Sequence, residues 1–512
     1  MAEPTNIAPQ VDKTAVPAAV TLGDTFDITK PLRWSTANAA EQKVMTNLQG
    51  NILKGHGRDH TENIFFAFGP DPLKVKRALR EIGNDHVTNA YRQLLDTKEF
   101  KQNEKSTCEC NLGTTFCSLF ITARGYRQLG EKFKAPEKND AFADDGMKSG
   151  TSRALLGDPI LANWEAEFQK DISAMLLVAD DDTRRGDEVV AALVKLLEEA
   201  GCEIIKRQKG KAIKNEDGNG LEHFGYVDGR SQPLMLLEDI ESESRDDGIA
   251  HWDPTSGLNR ALVIDPLAKD PEGLSYGSFF IFRKLEQRVR AFKTAEQKVA
   301  NKLGLEGKEP RELAGALLVG RFEDGTPVTM SDEAKGRKKP RNDFNYDADQ
   351  AGSRCPFHSH IRKTNPRGSS EVENEQSHLM VRRGITYEDK ERDVHPGDLL
   401  GPEDEQEFML KVAPLLPEGG VGLLFMAYNA KLDEQFVYTQ ASFANDINLP
   451  TKLAGLDGVI GQPALPPAHH VYKKVWDDPT SEDVTFDGFN DFVRMKGGEY
   501  FFAPSVRYLR SL

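Results

Sequence analysis

Cysteine is scarce: five in 512 residues, at positions 108, 110, 117, 202 and 355. The count is odd and no CxxC pair occurs, which argues against a disulfide framework and against a zinc ribbon. Cys108, Cys110 and Cys117 lie close enough for a soft-metal cluster. The simpler reading is a turn leading into a buried strand. Positive charge is also short: Lys and Arg total 66 against 81 Asp and Glu, a formal charge of −15. Nucleic acids and anionic membranes attract basic surfaces, so neither is expected as a partner. No apolar run approaches the ~20 residues of a membrane span, and mean hydropathy is −0.54. The 43 glycines follow no period, which excludes a collagen-like chain. Met1 to Ile28 lacks a basic start followed by an apolar stretch. A cytoplasmic protein is therefore expected, with secretion of a trimmed form left open.

What is present is a length that suits about two to four domains. Ile64–Phe68, Phe116–Thr122, Ile172–Ala179 and Cys202–Arg207 read as strands, with helices over Lys74–Leu95 and Asp187–Ala200. A second cycle follows. Ser278–Arg283 and Gly422–Tyr428 read as strands, Leu285–Leu303 and Leu432–Asn445 as helices, and Gly315–Arg321 is apolar again. This alternation predicts an α+β chain that carries an old duplication. The expected units are a flexible arm over 1–40, an N-terminal domain over 41–245 and a C-terminal domain over 246–512. The stretch 325–420 is rich in charge, Pro and Gly, as functional or disordered loops are. Within it, Lys335 to Arg341 is expected to be a solvated basic loop.

Four stretches carry chemistry. Gly225-Tyr-Val-Asp-Gly229 reads first as a turn, which Asp and Gly favour. Gly229 also lets a ligand approach the backbone, and Asp228 held there could accept a proton. Cys355 to Arg367 holds two of the 11 histidines, His358 and His360. Three readings stand for them: half of a zinc or non-haem iron site, one haem ligand beside a bystander, or two surface histidines. Arg362, Lys363 and Arg367 disfavour a bare dication and suit an anionic group. In His378 to Tyr387, the pair Arg382-Arg383 is either a solvated strand end or, in a dry pocket, a stabiliser of developing negative charge. Gly422 to Met426 is core by pattern, and it could also floor a pocket.

Together these stretches resemble the dye-decolourising peroxidases, a haem peroxidase family. Gly225-x-x-Asp228-Gly229 is similar to the family's G-x-x-D-G signature. His360 to Arg367 resembles its proximal histidine segment, and Arg382-x-Gly384-Ile-x-Tyr387 its distal arginine segment. Leu423-x-Phe425 is similar to its pair of apolar distal residues. Asn47–Leu53, Leu318–Arg321, Gly458–Gln462 and Gly497–Pro504 extend the resemblance over roughly residues 45 to 510. The long linking segments resemble the larger members. Three features depart from the pattern: no signal peptide is visible, His358 stands where a small residue is expected, and the long arm before Asn47 has no counterpart.

The resemblance implies two ferredoxin-like domains with antiparallel sheets and one haem b per chain at their junction. His360, directly before Ile361 and Arg362, is implied as the iron ligand. Asp457 is implied as the partner of its other ring nitrogen, and Arg362 as the partner of a haem propionate. Asp228 would take the proton of hydrogen peroxide, Arg382 would stabilise charge during O–O cleavage, and Leu423 and Phe425 would keep the pocket dry. Dyes, phenols and other bulky donors would then reduce a ferryl intermediate at the haem edge or through a surface aromatic, for which Tyr387 is the candidate. A monomer or small homo-oligomer is expected. Two alternatives stand: a haem-binding or haem-delivery protein without turnover, and a non-haem metal enzyme using His358 and His360. The first would keep His360 without needing both Asp228 and Arg382.

Overall fold

The computed structural model describes residues 25–103, 113–143, 145–305, 310–368, 372–390, 408–462, 469–487 and 491–512. Residues 1–24 of the expected arm, and Cys108 and Cys110 of the possible metal cluster, lie outside these. The first half contains β1 (His60–Ala67), α1 (Pro72–Asp85), α2 (Ala90–Asn103), β2 (Phe116–Ile121), β3 (Ala174–Asp180), α3 (Thr183–Glu199) and β4 (Glu203–Lys211). The second contains β5 (Tyr276–Gln287), α4 (Val289–Leu303), α5 (Pro310–Val319), α6 (His360–Thr364), β6 (Val381–Arg382), β7 (Ile385–Glu388), β8 (Val421–Asn429) and β9 (Val493–Ala503).

Local chemistry explains the element ends. The Asp71 side chain accepts the Leu73 and Lys74 amides, and Pro72 follows at the first helical position. Val75, Ala78, Leu79 and Ile82 then form the buried face of α1. The expected helix over Lys74–Leu95 is in fact two. Asn89 caps a new start by accepting the Arg92 amide at 2.8 Å, and the intervening Thr88 amide bonds to Cys117 instead of a helical carbonyl. Helix α3 begins four residues before the expected Asp187, because Asp182 accepts the Arg184 and Arg185 amides. Leu285 to Gln287 continue strand β5, and the helix starts at Val289. Apolar Gly315–Val319 is the end of α5. The helix expected over Leu432–Asn445 consists of two wide, π-type turns, Asp433–Val437 and Thr439–Ala444.

The main strands run antiparallel in the order β7-β8-β5-β9-β2-β3-β1-β4, and β6 pairs with β8 beside them. Each half thus places its strands second, third, first, fourth. That repeated ferredoxin-like order gives physical form to the two cycles in the sequence. The halves join where Phe502 of β9 pairs with Ile121 of β2. At the other end the Thr386 hydroxyl of β7 donates to the Lys211 carbonyl of β4. A Cβ on Gly210 would lie 2.7 Å from Ile385, so only glycine permits this approach. The sheet therefore curls toward a barrel.

Phenylalanines fill the join. Phe120 from the first half stacks on Phe280 from the second at 4.1 Å, and Phe65 meets Phe282 edge-on at 4.7 Å. Such pairs contribute roughly 0.5–1.5 kcal/mol beyond their burial. The basic stretch is not simply solvated: Lys339 bridges to Glu243 at 2.9 Å, and Arg341 pairs with Asp247. Among the described residues, no helix is long and apolar enough to cross a membrane.

Candidate active site

His360 is the first residue of α6. Its Nδ1 lies 2.9 Å from Asp457 Oδ2. Asp457 is itself fixed: its side chain is buried, and Oδ1 accepts the Val459 and Ile460 amides at 2.8 Å each. A carboxylate can only accept here, so Nδ1 carries the proton and Nε2 keeps its lone pair. Burial works to lower the His360 pKa, but the Asp457 carboxylate overrides it and the net direction is up. Burial likewise works to raise Asp457, and His360 with the two amides holds it below the usual range. The charges of Arg382 and Asp228 also reach the His360 ring, with opposite signs.

His358, two residues earlier, goes elsewhere. It is buried against His470 at 4.7 Å and Tyr472 at 4.6 Å, and burial holds its pKa well below the ordinary value. The two rings therefore do not share a site. Among the described residues, no group of three or more His, Cys, Asp or Glu side chains is placed to hold a metal ion.

Asp228 and Arg382 face each other at 3.9 Å, with side chains 40% and 31% exposed. Asp228 Oδ1 accepts the Gly229 amide at 2.6 Å. Arg382 donates from Nη2 to the Ser231 carbonyl at 2.9 Å, and its backbone amide bonds to Gln232. In β6 it stands across from Ala427 of β8. Leu423, Phe425 and Ala427 alternate along one face of β8, so Arg382 shares that face with both apolar residues. Leu423 and Phe425 are half-buried, while Leu424 between them and Met426 after them are fully buried. Arg383 points the other way, to the Asn51 and Ile52 carbonyls at 2.7 and 2.9 Å.

Two expected site residues are placed otherwise. Arg362 is buried and stacked between Tyr346 and Phe357. Its terminal nitrogens bond to Asp349 and to the Cys355 carbonyl, so it braces its own loop and has no role as a propionate partner. Tyr387 is 1% exposed beneath the Lys284 ammonium, 4.5 Å from its ring, and is not a surface aromatic. The charged loop chemistry around Arg362 and the strand end at Tyr387 both read as exposed; the aromatic pair and the Lys284 side chain cover them.

The sequence marks Arg367 only as one of three basic residues suited to an anionic group, and it assigns no site role to Arg321. Both are buried, and among the described residues their hydrogen bonds all end on neutral oxygens. They converge on Ser231 Oγ and Asn342 Oδ1, beside the Ser231 carbonyl that holds Arg382. Burial pushes Arg321 down to about 10 and Arg367 down to about 9. Three guanidiniums thus gather around Ser231, and of these only Arg382 faces a carboxylate closely, an arrangement that suits an anionic group. The sequence sign is slight: each Arg follows a turn residue, Gly320 or Pro366, and that does not separate a buried Arg from a solvated one.

A histidine backed by a carboxylate, an opposed Asp–Arg pair, apolar walls left partly open and unpaired buried cations together define a site of haem peroxidase type. Comparison with known proteins makes the assignment specific. The family model for the DyP dimeric alpha+beta barrel domain matches residues 47–212, and that for the Dyp-type peroxidase C-terminal region matches residues 318–452. The chain is 41% identical over 497 residues to multifunctional dye peroxidase DyP2 of Amycolatopsis sp., covering 95% of this chain and 99% of that one. It is 28% identical over 512 residues to Peroxidase 2 of Mycetinis scorodonius, covering 93% and 89%. Among solved structures, the Anabaena sp. DyP-type peroxidase aligns with a TM-score of 0.83 at 36% identity over 96% of this chain and all of that one. DyP2 from Amycolatopsis aligns at 0.84 and 39% identity over 95% and 100%. The chain belongs to the DyP-type peroxidase family. It is a dye-decolourising peroxidase, and membership implies haem.

Proposed function

We propose that the chain binds one haem b through His360, with Asp228 and Arg382 activating hydrogen peroxide on the opposite face. The carrying observation is that the charges of Asp228 and Arg382 reach the His360 ring and that all three side chains stay partly open, a quarter of the surface in the case of His360. The residues present fit the group. His360 Nε2 would hold the iron, Asp457 would fix the ring's tautomer and enrich it, and Leu423 and Phe425 would supply an apolar wall. Arg321 and Arg367 are the cations to meet haem carboxylates, Arg367 being one of the three basic residues that the sequence already suits to an anionic group. When bound, haem supplies the redox chemistry: two electrons for the peroxide O–O bond, restored one at a time by organic donors.

The chain's own residues handle the protons and the access. Asp228 Oδ1 is engaged by the Gly229 amide, which leaves Oδ2 to take a proton from peroxide and return it to the departing oxygen. Arg382, 3.9 Å from Asp228, adds positive charge beside that oxygen. Leu423 and Phe425 exclude large molecules, so dyes and phenols give their electrons from outside the pocket. A carrier without turnover would have no use for the Asp228–Arg382 pair. The test is rapid mixing of the haem-loaded protein with hydrogen peroxide, followed at the Soret band. A fast change that Asp228→Asn slows supports the reading; an unchanged rate removes Asp228 from it. A cytoplasmic location is also proposed. The buried free thiols Cys117, Cys202 and Cys355 suit a reducing compartment, and cell fractionation checks it.

A further inference from the structure

The Asp228 side chain is loosely kept, although its backbone amide donates to the Gly220 carbonyl at 2.9 Å. Among the described residues its carboxylate accepts one hydrogen bond, from Gly229, and faces Arg382 at 3.9 Å. The segment is gripped from behind, two residues upstream. The Tyr226 ring is 3% exposed and meets Phe292 edge-on at 6.1 Å. Its hydroxyl donates to Glu296 Oε1 at 2.7 Å. Glu296 and Lys293 lie one turn apart on α4 and both are buried. The Lys293 ammonium is 3.1 Å from Glu296 and 2.5 Å from Glu323, and 5.1 Å from the Tyr226 ring centre. The next residue is tied to the same cluster, for the Val227 amide donates to the Glu323 carbonyl at 3.0 Å.

Room for this contact is built into α5. A Cβ on Gly315 would lie 2.0 Å from the Tyr226 hydroxyl and 2.3 Å from Glu296. Burial pushes the Glu296 carboxyl up to about 7 even beside Lys293. Burying charges in this way stabilises little, and apolar side chains of similar volume often do as well or better. What a buried polar cluster supplies that apolar packing does not is a single position for the groups bonded to it.

We propose that Tyr226, Glu296 and Lys293 form a buried clamp whose Tyr226–Glu296 hydrogen bond sets where the Asp228 carboxylate sits. Tyr226 and Glu296 are then positioning residues for peroxide activation. The inference rests on the reading of Asp228 as proton acceptor.

The experiment is a double-mutant comparison on the haem-loaded enzyme, reading the rate of the Soret change on rapid mixing with hydrogen peroxide. Tyr226→Phe keeps the ring and removes the hydroxyl. It is expected to slow the reaction about tenfold, as a small displacement of a reacting group does, with haem content retained. In the Asp228→Asn background the same change is expected to add no further slowing, because it acts through Asp228. Equal slowing in both backgrounds, or none in the wild-type background, overturns the clamp. If Asp228→Asn alone leaves the rate unchanged, the reading of Asp228 has failed, and that is visible without the Tyr226 variant. Should Tyr226→Phe not fold, Glu296 gives an independent test. Glu296→Gln keeps an oxygen acceptor for the hydroxyl and is expected to lose less rate than Glu296→Leu. Equal loss in the two overturns the role of the hydrogen bond.

Discussion

The two faces of the site are built to opposite standards. On the His360 side, Asp457 has no exposed side-chain surface, and both of its oxygens are engaged, by the ring and by two amides. On the Asp228 side, the two charged partners stand 3.9 Å apart and keep 40% and 31% of their side-chain surface. A group that must hold a cofactor through every turnover gains from rigid, dry hydrogen bonds. A group that must admit a small reactant and move a proton needs space, with its geometry set by the backbone behind it.

The largest expected effect attacks the holding side. His360→Ala should lose most haem, read as loss of the Soret band in purified protein. His358→Ala should keep haem, because that ring packs against His470 and Tyr472. The reverse outcome would exchange the two histidines and dissolve the contrast between the faces. On the open side, Asp228→Asn and Arg382→Leu should keep haem and slow the peroxide reaction by roughly 10²–10⁴-fold, with a combined loss below the product. Stopped-flow rates decide this, and haem loss in either variant would mean that the open side also holds.

A smaller change sharpens the rigid side. Asp457→Asn keeps a hydrogen bond but removes the charge, and should weaken haem retention or activity roughly 10–100-fold. Haem transfer to an acceptor protein and redox titration measure it, with the midpoint potential expected to rise. The smallest effect concerns stability. Burial pushes Glu296 and Glu499 up to about 7, above the ordinary 4.5. Such a group stabilises the fold fully below its unfolded value and loses that contribution as pH rises through about 7. Asp180 has the opposite sense: burial works to raise it, but Arg185 and Thr115 hold it low, so its contribution is lost only as pH falls through its depressed value. Against the opposite slope of His56, His358 and His470, whose burial keeps them neutral at acid pH, Glu296 adds a fall in melting temperature between pH 5 and pH 8. Glu296→Gln should flatten that slope, and an unchanged slope would place the titration elsewhere.

Much of this molecule can be read along the chain. The alternation of apolar and amphipathic segments gives the α+β class and the two cycles, because side-chain period and turn chemistry act locally. Asp71 and Asp182 start their helices from within the same few residues they cap. The pattern also marks Asp228, His360, Arg382, Leu423 and Phe425 as a set, by the resemblance their segments carry. What it leaves open is which side chains share a space. His358 and His360 are alike in sequence, and packing buries one and opens the other. Tyr387 is covered by the Lys284 side chain of β5, and Arg362 is taken by Asp349 and two aromatic rings. Arg321 and Arg367 meet at Ser231 only after segments far apart in sequence are folded together. Burial, and with it the cost of a charge or the shift of a pKa, depends on neighbours that strand order and register supply, and no local pattern encodes those.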